Sequence, residues 1–491
     1  YRRQRQMCIR DSINIKNQAE GEKLTISQRL EATGDINISS NAGIQQTDSS
    51  YISSTANGNI SMTNNTQGDL IAGNVNASNG AITIDNKAED GSVFLKGNLQ
   101  SDKGYVDISS QNNVIQTGSI VANGVNGTES VKITAANIAD LNSITAKNGI
   151  QIDADSVKLN NLVQSTEGAI IISANGDITQ TISGKSLDAK GDITLVTSEN
   201  GDIGKLSAGS SQGQSIGLNS GGKVTLAGGN INVSSPDKDV TFGSVQAKHD
   251  VSLSTTTSSV PVPGGKITFN DSVSGEKISI NSVKDIDINN NITSSGGMEI
   301  TAKEGINQSA VSVLTNNTSG SVKLNNTDSG NINTTTITNN GGDIEVTNSA
   351  TVSDDSGKVN LNGVYTTNSG KVSVSAQGDI IQNESIEKAI IAGGNVSLES
   401  IEGSIGTDTR FITMQTQSPI SAKAAEGSVY LKTIGSDLKL TDDSEIVFGK
   451  DIGLASDKTV IIEKSDGITA SDGSIYIDSC LLYTSPSPRD A

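Results

Sequence analysis

The residues of this sequence best suited to acid–base chemistry, or to holding Ca²⁺, are pairs of aspartates. There are four such pairs: Asp153 with Asp155, Asp285 with Asp287, Asp354 with Asp355, and Asp442 with Asp443. Two residues at i and i+2 on one strand share a face, so the first two pairs could act together. A polysaccharide lyase would also need a cation close by, and arginine is scarce outside the chain ends. We therefore interpret these aspartates as turn residues and predict no catalytic residue.

Histidine and cysteine do not form a recognisable metal site in this sequence. His249 is the only histidine, and the two cysteines, Cys8 and Cys480, lie in the chain ends. A lone imidazole without thiolate neighbours cannot complete a zinc site. The Gly-Gly-x-Gly-x-Asp nonapeptide of calcium-binding β-rolls is also absent. We predict no metal and no cofactor, and we expect His249 at an exposed corner.

Aromatic side chains, on which sugar-binding surfaces usually rely, are few. The chain has 7 tyrosines, 5 phenylalanines and no tryptophan. Tyr105 and Tyr430 lie inside the alternating phrases Gly-Tyr-Val-Asp-Ile and Gly-Ser-Val-Tyr-Leu. We therefore expect these two rings to pack or to cover an edge.

A phrase with alternating aliphatic residues between two glycines recurs along the chain. Four clear copies are Gly34–Gly43, Gly168–Gly176, Gly297–Gly305 and Gly370–Gly378. Equivalent glycines recur every 22 to 24 residues, as from Gly34 to Gly58 and from Gly58 to Gly80, and a glutamine follows shortly after each copy of the phrase. A period of this length indicates stacked structural repeats. It favours a repeated surface over a unique catalytic site.

Aliphatic and polar residues alternate in these phrases, as in Gly80–Asp85 and Gly320–Asn325. That period of two is typical of a half-buried strand. Inward aliphatic side chains would stack on those of neighbouring coils, while Gly, Asn and Asp would supply the left-handed backbone of sharp corners. We predict an all-β fold, a right-handed parallel β-helix of about twenty coils over residues 13–479. With strands ~4.8 Å apart, it would form a rod on the order of 100 Å long.

Two segments interrupt the period. Residues 200–222 are rich in Gly and Ser, and residues 255–265 contain two prolines. Clusters of these residue types mark loops. We predict that both segments are loop excursions from a single rod.

The two chain ends do not match the rest. Residues 1–12 and 480–491 hold five of the seven arginines, both cysteines and two of the six prolines. Met7–Asp11 back-translates to ATG-TGT-ATA-AGA-GAC, and Cys480–Ser485 to TGT-CTC-TTA-TAC-ACA-TCT. These strings are largely reverse complements, as expected of a transposase adapter that flanks a library fragment. We interpret both ends as translated sequencing adapter, exclude them from fold reasoning, and expect a fragment of a longer protein.

Composition and charge exclude several classes of protein. Hydrophobic residues are 33% and aromatic residues only 2% of the chain, so the core must be thin and aliphatic. The net charge of −19 would repel nucleic acid and anionic membranes. No apolar run approaches the ~18 residues of a membrane-spanning helix. We predict no nucleic-acid partner and no direct insertion of this segment into a membrane.

The phrase Gly-x-Ile/Val-x-Leu/Ile followed by Gly-Asp-Ile-x-Gln resembles the repeats of filamentous-haemagglutinin-type exoproteins of two-partner secretion, and those of large autotransporter passengers. The resemblance covers most of residues 13–479. It implies a secreted protein at the extracellular face of the Gram-negative outer membrane, commonly an adhesin, with an outer-membrane translocator as one partner. The Asn-Pro-Asn-Gly motif of the two-partner secretion domain does not occur in this sequence, so the export route stays open.

The leading prediction is a secreted cell-surface adhesin without catalysis. It would attach to host cells, surfaces or other bacteria through protein or glycan receptors. One alternative is a β-helical polysaccharide-active enzyme, a lyase or glycoside hydrolase, which an acidic cluster with Lys or Arg in one groove would support. The other is the stalk of a contact-dependent toxin, whose repeats would look the same.

Overall fold

A computed structural model describes residues 11–181, 185–198, 201–204, 216–220, 223–228, 231–236, 239–256, 265–351, 356–442, 447–463, 465 and 468–484. Over these residues the regular elements are β-strands, and the structure contains no helix of the length and apolarity that a membrane crossing needs. The chain divides into two compact units, Tyr1–Pro236 and Asp237–Ala491. Each unit is a stack of short parallel strands.

The strands described in the first unit are short, mostly three to five residues. They are β1 (Ile13–Asn17), β2 (Leu24–Ile26), β3 (Leu30–Ala32), β4 (Ile36–Ser40), β5 (Ile44–Gln46), β6 (Tyr51–Ser54), β7 (Ile60–Asn64), β8 (Leu70–Ala72), β9 (Asn74–Ala77), β10 (Ile82–Asn86), β11 (Val93–Leu95), β12 (Leu99–Ser101), β13 (Val106–Ser110), β14 (Val114–Gln116), β15 (Ser119–Ala122), β16 (Glu129–Ala135), β17 (Ile138–Leu141), β18 (Ser143–Ala146), β19 (Gly149–Ala154), β20 (Ser156–Leu159), β21 (Val163–Ser165), β22 (Ile170–Ala174), β23 (Ile178–Gln180), β24 (Lys185–Ala189), β25 (Ile193–Val196), β26 (Ile216–Ser220), β27 (Lys223–Gly228) and β28 (Ile231–Pro236).

The second unit contains some longer strands, which continue around a corner of the coil. Those described are β29 (Val240–Ala247), β30 (Val251–Thr256), β31 (Ile267–Phe269), β32 (Val273–Asn281), β33 (Asp285–Ile288), β34 (Ile292–Ala302), β35 (Gly305–Gln308), β36 (Val313–Asn316), β37 (Val322–Asn326), β38 (Ile332–Thr334), β39 (Thr336–Asn339), β40 (Ile344–Asn348), β41 (Val359–Leu361), β42 (Tyr365–Thr367), β43 (Val372–Ala376), β44 (Ile380–Gln382), β45 (Ile390–Ala392), β46 (Val396–Ser400), β47 (Ile412–Thr416), β48 (Ile420–Ala424), β49 (Val429–Thr433), β50 (Leu438–Leu440), β51 (Val447–Gly449), β52 (Ile452–Ile462), β53 (Thr469–Ala470) and β54 (Ile475–Thr484).

Coils of the first unit have three sides, and each strand pairs in parallel with its equivalent in the next coil. One side is the series β1, β4, β7, β10, β13, β16, β19, β22, β25 and β27. The second is a separate sheet of β2, β5, β8, β11, β14, β17, β20 and β23, and the third is β3, β6, β9, β12, β15, β18, β21, β24, β26 and β28. In the second unit, β34 serves two sides, since it pairs with both β36 and β37.

Register between coils is continuous, and it builds the core. Ile36 pairs with Ile60, Ile60 with Ile82, and Ile82 with Val106, and all four side chains have 0% exposure. Each fully buried aliphatic side chain contributes roughly 1.5–3 kcal/mol of hydrophobic stabilisation. The predicted fold is confirmed: over the described residues the chain is an all-β solenoid of parallel strands with about 18 turns, close to the predicted number.

The predicted excursions fall partly outside the described residues. Within residues 200–222, β26 belongs to the coil, and Ile203 forms parallel bridges with Ile178 and Ile231. Residues 257–264 lie outside the described residues. At the chain ends, β1 begins at Ile13 and β54 includes residues 480–484, while 1–10 and 485–491 lie outside the described residues. The interpretation of the ends as translated adapter stays a prediction.

Many of the recurring glycines are needed because the adjacent coil approaches closely, and not because the backbone is left-handed there. Gly58, Gly80 and Gly104 stack on one another without a left-handed φ, and a Cβ on Gly80 or Gly104 would stand 2.1 Å from the carbonyl oxygen of the preceding glycine. No side chain larger than hydrogen fits there. The predicted left-handed corner occurs at other glycines, such as Gly43 (φ 94°) and Gly297 (φ 117°). The expectation from sequence was therefore wrong for the stacked set.

The glutamine that follows the repeated phrase is an internal hydrogen-bonding residue. Its four copies, Gln46, Gln180, Gln308 and Gln382, are 2–7% exposed. Nε2 of Gln308 donates to the carbonyls of Ser312 (2.9 Å) and Thr336 (3.1 Å), and its Oε1 accepts from the N–H of Thr335 (3.0 Å). Buried backbone groups need hydrogen-bond partners, and this side chain supplies them to Ser312 at the corner and to Thr335 and Thr336 in the next coil. It therefore links the two coils.

We expect Gly342→Ala to destabilise the second unit by roughly 1–3 kcal/mol, as overpacking does. Its Cβ would stand 2.2 Å from the carbonyl oxygen of Gly320 and 2.5 Å from that of Ser319. Gly341→Ala is the matched control, because its nearest neighbour would be 3.4 Å away and neither glycine has a left-handed φ. Urea unfolding measures the difference. Equal midpoints for the two variants would contradict the close-packing argument.

Asn339 tests the internal amide stacking. Its Nδ2 donates to the carbonyls of Gly320 and Asp343, and its Oδ1 accepts from Asn316 Nδ2, all at 2.9 Å. We expect Asn339→Ala to cost roughly 1–3 kcal/mol, since it leaves buried polar groups without a partner. Asn340→Ala is the control at an exposed position. Hydrogen exchange should be faster around residues 316–343 in the first variant only; unchanged exchange there would contradict the assignment.

Candidate functional site

Asp285 and Asp287 lie within β33 and share its outward face, as their spacing predicted, so the interpretation of this pair as turn residues was wrong. Lys266 extends toward them, with its Nζ 2.6 Å from Asp287 Oδ2. An acidic pair with a lysine on one face is the arrangement expected of the enzyme alternative. The surroundings of this pair therefore decide what it can do.

Asp287 is the end of a hydrogen-bonded series that crosses successive coils. Asn307 Nδ2 donates to Asp287 Oδ1 (3.2 Å), Asn333 Nδ2 to Asn307 Oδ1 (2.8 Å), and Asn360 Nδ2 to Asn333 Oδ1 (2.6 Å). We name Lys266, Asp287, Asn307, Asn333 and Asn360 the outer polar ladder. Both oxygens of Asp287 accept within it. This carboxylate is thus engaged in holding the ladder together.

Electrostatics around the ladder follow from partial burial. The pKa of Asp285 is raised, mainly because the carboxyl is partly buried. The nearby Lys266 lowers this pKa and Asp287 raises it, each by less than burial does. The hydrogen bond to Asp287 is the main reason that the pKa of Lys266 is raised. A carboxyl with a raised pKa suits a general acid, but structural charge networks produce such shifts as well. Partial burial on β33 is therefore sufficient to explain the raised pKa of Asp285.

The other aspartate pair that was expected to share a face does not form a carboxylate site. Asp153 is half-buried at the end of β19, whereas Asp155 follows the strand and is exposed. Asp153 lines a concave region of about 440 Å³ together with small polar residues such as Ser173 and Asn175. Among the described residues of this lining it is the one carboxylate, so it can accept hydrogen bonds but has no second acid there to act with.

The remaining aspartates can be placed only in part. Asp442 lies at a turn, and it accepts hydrogen bonds from the backbone N–H (2.6 Å) and Oγ (2.8 Å) of Ser465, 23 residues further along the chain. Asp354, Asp355 and Asp443 lie outside the described residues.

His249 occupies an exposed corner, as expected. Its side chain is 49% exposed, and Nδ1 lies 3.7 Å from Glu276 Oε2. In the part of the chain that the structure describes, no three His, Cys, Asp or Glu side chains are grouped so as to hold a metal ion. The lone histidine therefore has one carboxylate neighbour at the surface.

A short excursion at Thr407–Arg410 interrupts the coils of the second unit. Gly406 begins it with a left-handed backbone (φ 68°), and Thr407 and Arg410 exchange backbone hydrogen bonds of 2.7 and 3.0 Å. Arg410 forms an ion pair with Glu384 of an earlier coil. The excursion is thus a short exposed turn, and the Arg410–Glu384 ion pair links it to that earlier coil.

A polar cleft of about 310 Å³ lies beside the excursion, where the outer polar ladder ends. It is lined by Asn360, Asn362, Ile381, Gln382, Asn383, Glu384 and Arg410. Side-chain amides supply both donors and acceptors. Since Glu384 and Arg410 pair with each other, the cleft suits hydrogen bonding to a polar ligand better than proton transfer.

The tyrosines occupy different environments. Tyr365 is fully buried and hydrogen-bonded to Thr334, and burial raises its pKa far above the usual range. Tyr430 packs on Phe411, as expected, with ring centroids 5.5 Å apart. Both rings are nevertheless partly exposed. Sequence reasoning missed that Tyr476 recurs two coils after Tyr430. Aligning the chain on its period would have shown this.

The arrangements described above are outward ladders, a polar cleft and a partly exposed aromatic pair. Comparison of the chain with known protein families, with curated proteins and with solved structures found no match.

Proposed function

We propose that this chain is part of a secreted adhesin of the Gram-negative cell surface. The observation that carries the proposal is the stacking of outward polar residues in register from coil to coil, as in the outer polar ladder. Such stacking repeats one kind of chemistry along successive coils. Repeated weak contacts on one surface give strong overall attachment through multivalency.

Outward side chains of the first unit also bond along the stack. Asn37 Nδ2 donates to Asn14 Oδ1 (3.0 Å), and Ser109 Oγ donates to Asp85 Oδ1 (2.6 Å). A side chain that is already held in place loses less conformational freedom when a partner binds. The outward faces are therefore preorganised for contact with a receptor.

The resemblance of the repeats to filamentous-haemagglutinin-type exoproteins supports the proposed location. The partners would be receptors on host or bacterial surfaces, protein or glycan, and an outer-membrane translocator during export. The net charge of −19 argues against nucleic acid and against insertion into an anionic membrane.

The runner-up is a β-helical polysaccharide-active enzyme. Asp285, Asp287 and Lys266 are the observation in its favour, because two carboxylates beside a cation can serve acid–base cleavage of a glycan. Against it stands the engagement of Asp287 by Lys266 and Asn307. An adhesin needs no free carboxylate at this position.

Attachment tests the adhesin proposal directly. Beads coated with the full chain should attach to epithelial cells, to Gram-negative bacteria or to abiotic surfaces more than beads coated with an unrelated protein of similar acidity. Soluble chain should compete, since it occupies the same receptors. Flow cytometry counts the attached beads. Attachment no better than the control on every surface would contradict the proposal.

Product release tests the enzyme alternative. With neutral and acidic polysaccharides, we expect the wild-type chain to release neither reducing ends nor unsaturated uronate, because Asp287 is held in the ladder. The Asp285→Asn/Asp287→Asn variant and the control Asp153→Asn should behave in the same way. Release by wild type and by Asp153→Asn, lost in the double variant, would establish the enzyme instead.

A further inference from the structure

An aromatic groove lies on the outward face of the second unit, on the other side of the Thr407–Arg410 excursion from the polar cleft. In register, Tyr430 of β49 pairs with Gly453 of β52, and Gly453 with Tyr476 of β54. The next outward positions are Lys432, Ala455 and Asp478 in the same order. Two rows with long side chains thus flank a row of two small residues. We name these six residues, with Phe411 and Asp408, the aromatic groove.

Gly453 makes room for the rings. A Cβ at this position would stand 2.6 Å from Tyr430 Cδ1 and 2.9 Å from Phe411 Cζ. Its backbone lies within β52 and has no left-handed φ, so backbone conformation does not demand glycine. Glycine within a strand is unfavourable by roughly 0.5–1 kcal/mol relative to alanine, and it often marks a place of close approach. Here the rings of Tyr430 and Phe411 lean over it.

The groove has a volume of about 490 Å³ and combines apolar and charged groups. It is lined by Asp408, Phe411, Tyr430, Lys432, Ala455, Tyr476 and Asp478. Tyr476 is at an outward position of the last described strand, and Tyr430 and Phe411 are half-buried against each other. Aromatic rings on an outward face beside a few polar groups are typical of a binding surface.

We propose that the aromatic groove binds a neutral glycan. A pyranose ring has apolar C–H faces and hydroxyl groups around its edge, so it needs aromatic rings beneath it and hydrogen-bonding groups beside it. Tyr430 and Tyr476 provide the rings, and the carboxylates of Asp408 and Asp478 accept hydrogen bonds from sugar hydroxyls. The Lys432 ammonium donates to a sugar oxygen.

The dimensions and charge of the groove favour this ligand. Tyr430 and Tyr476 belong to strands two coils apart, which is ~9.6 Å along the stack at ~4.8 Å per strand. That span accommodates two consecutive sugar units. Two carboxylates against one ammonium leave the groove negative, in a chain whose net charge is −19. Acidic polysaccharides would be repelled, so the ligand is a neutral one.

This inference rests on the proposed function, because it names a receptor class for the adhesin. The aromatic groove would supply one specific contact within a broad face of weak ones. Its position beside the excursion sets it apart from the outer polar ladder, whose residues are engaged with one another.

Saturation-transfer NMR on the full chain tests the proposal with four hexasaccharide probes: cellohexaose and chitohexaose, which are neutral, and hexagalacturonate and a heparin hexasaccharide, which are anionic. We expect saturation of ring C–H protons in at least one neutral probe and in neither anionic probe. Tyr476→Ala should weaken binding about tenfold, since one stacked ring is lost. Tyr476→Phe should restore it, because the ring remains.

Tyr105→Ala is the matched control, a half-buried tyrosine of the first unit that lies outside the groove. It should leave affinity unchanged. Circular dichroism and urea midpoints of Tyr476→Ala and Tyr476→Phe should match wild type, because the Tyr476 position faces outward from β54 and not into the aliphatic core. Absence of binding to both neutral probes, unchanged affinity in Tyr476→Ala, or equal binding of anionic probes would overturn the proposal. So would a self-association that Tyr476→Ala abolishes and no probe displaces.

Bead attachment separates this inference from the adhesin proposal. If wild-type and Tyr476→Ala beads attach equally well, the aromatic groove is not the receptor site, while the adhesin proposal stands. If a neutral probe binds at the groove but the beads attach to no surface, the glycan site stands and the adhesin proposal fails.

Discussion

Parallel hydrogen bonding between successive coils is the constraint on which the rest of this structure depends. Strands of neighbouring coils must lie ~4.8 Å apart at every side of the coil at once. The inward Ile36, Ile60 and Ile82 stack into one column only because their strands pair residue by residue. The same spacing brings backbone against backbone at Gly58 and Gly80, where a single Cβ would collide with the adjoining coil.

Stacking acts on both faces of a strand, so it orders the surface as strictly as the core. Where the outward residues are Asp and Asn, the outcome is the outer polar ladder, whose side chains satisfy one another. Where they are Tyr430, Gly453 and Tyr476, the outcome is a groove with aromatic sides. Regions of the outward surface can therefore differ in character, from a hydrogen-bonded polar ladder to a groove between aromatic rings.

Much of the fold could be predicted from sequence, and the errors have physical causes. Alternation of aliphatic residues predicted the strands, and the glycine period predicted the coils. The role of Gly80 was misjudged, because crowding by another coil leaves no local signature that differs from a turn. Gln308 was visible as a repeated residue, yet its hydrogen bonds to Thr335 and Thr336 depend on where the next coil lies. Asp285 and Asp287 were correctly placed on one face, but the engagement of Asp287 by Asn307 was not foreseen.

By itself, the sequence determined a repeating strand pattern, an aliphatic interior and an acidic, polar exterior, because each of these is a property of residue type and local spacing. Only the tertiary structure decided which outward residues meet. Partners along the outer polar ladder are 20 residues apart at Asp287 and Asn307 but 27 apart at Asn333 and Asn360. Corners of unequal length change the separation from coil to coil. Contacts along this ladder therefore follow from the stacked register, and a single fixed spacing along the chain does not give them.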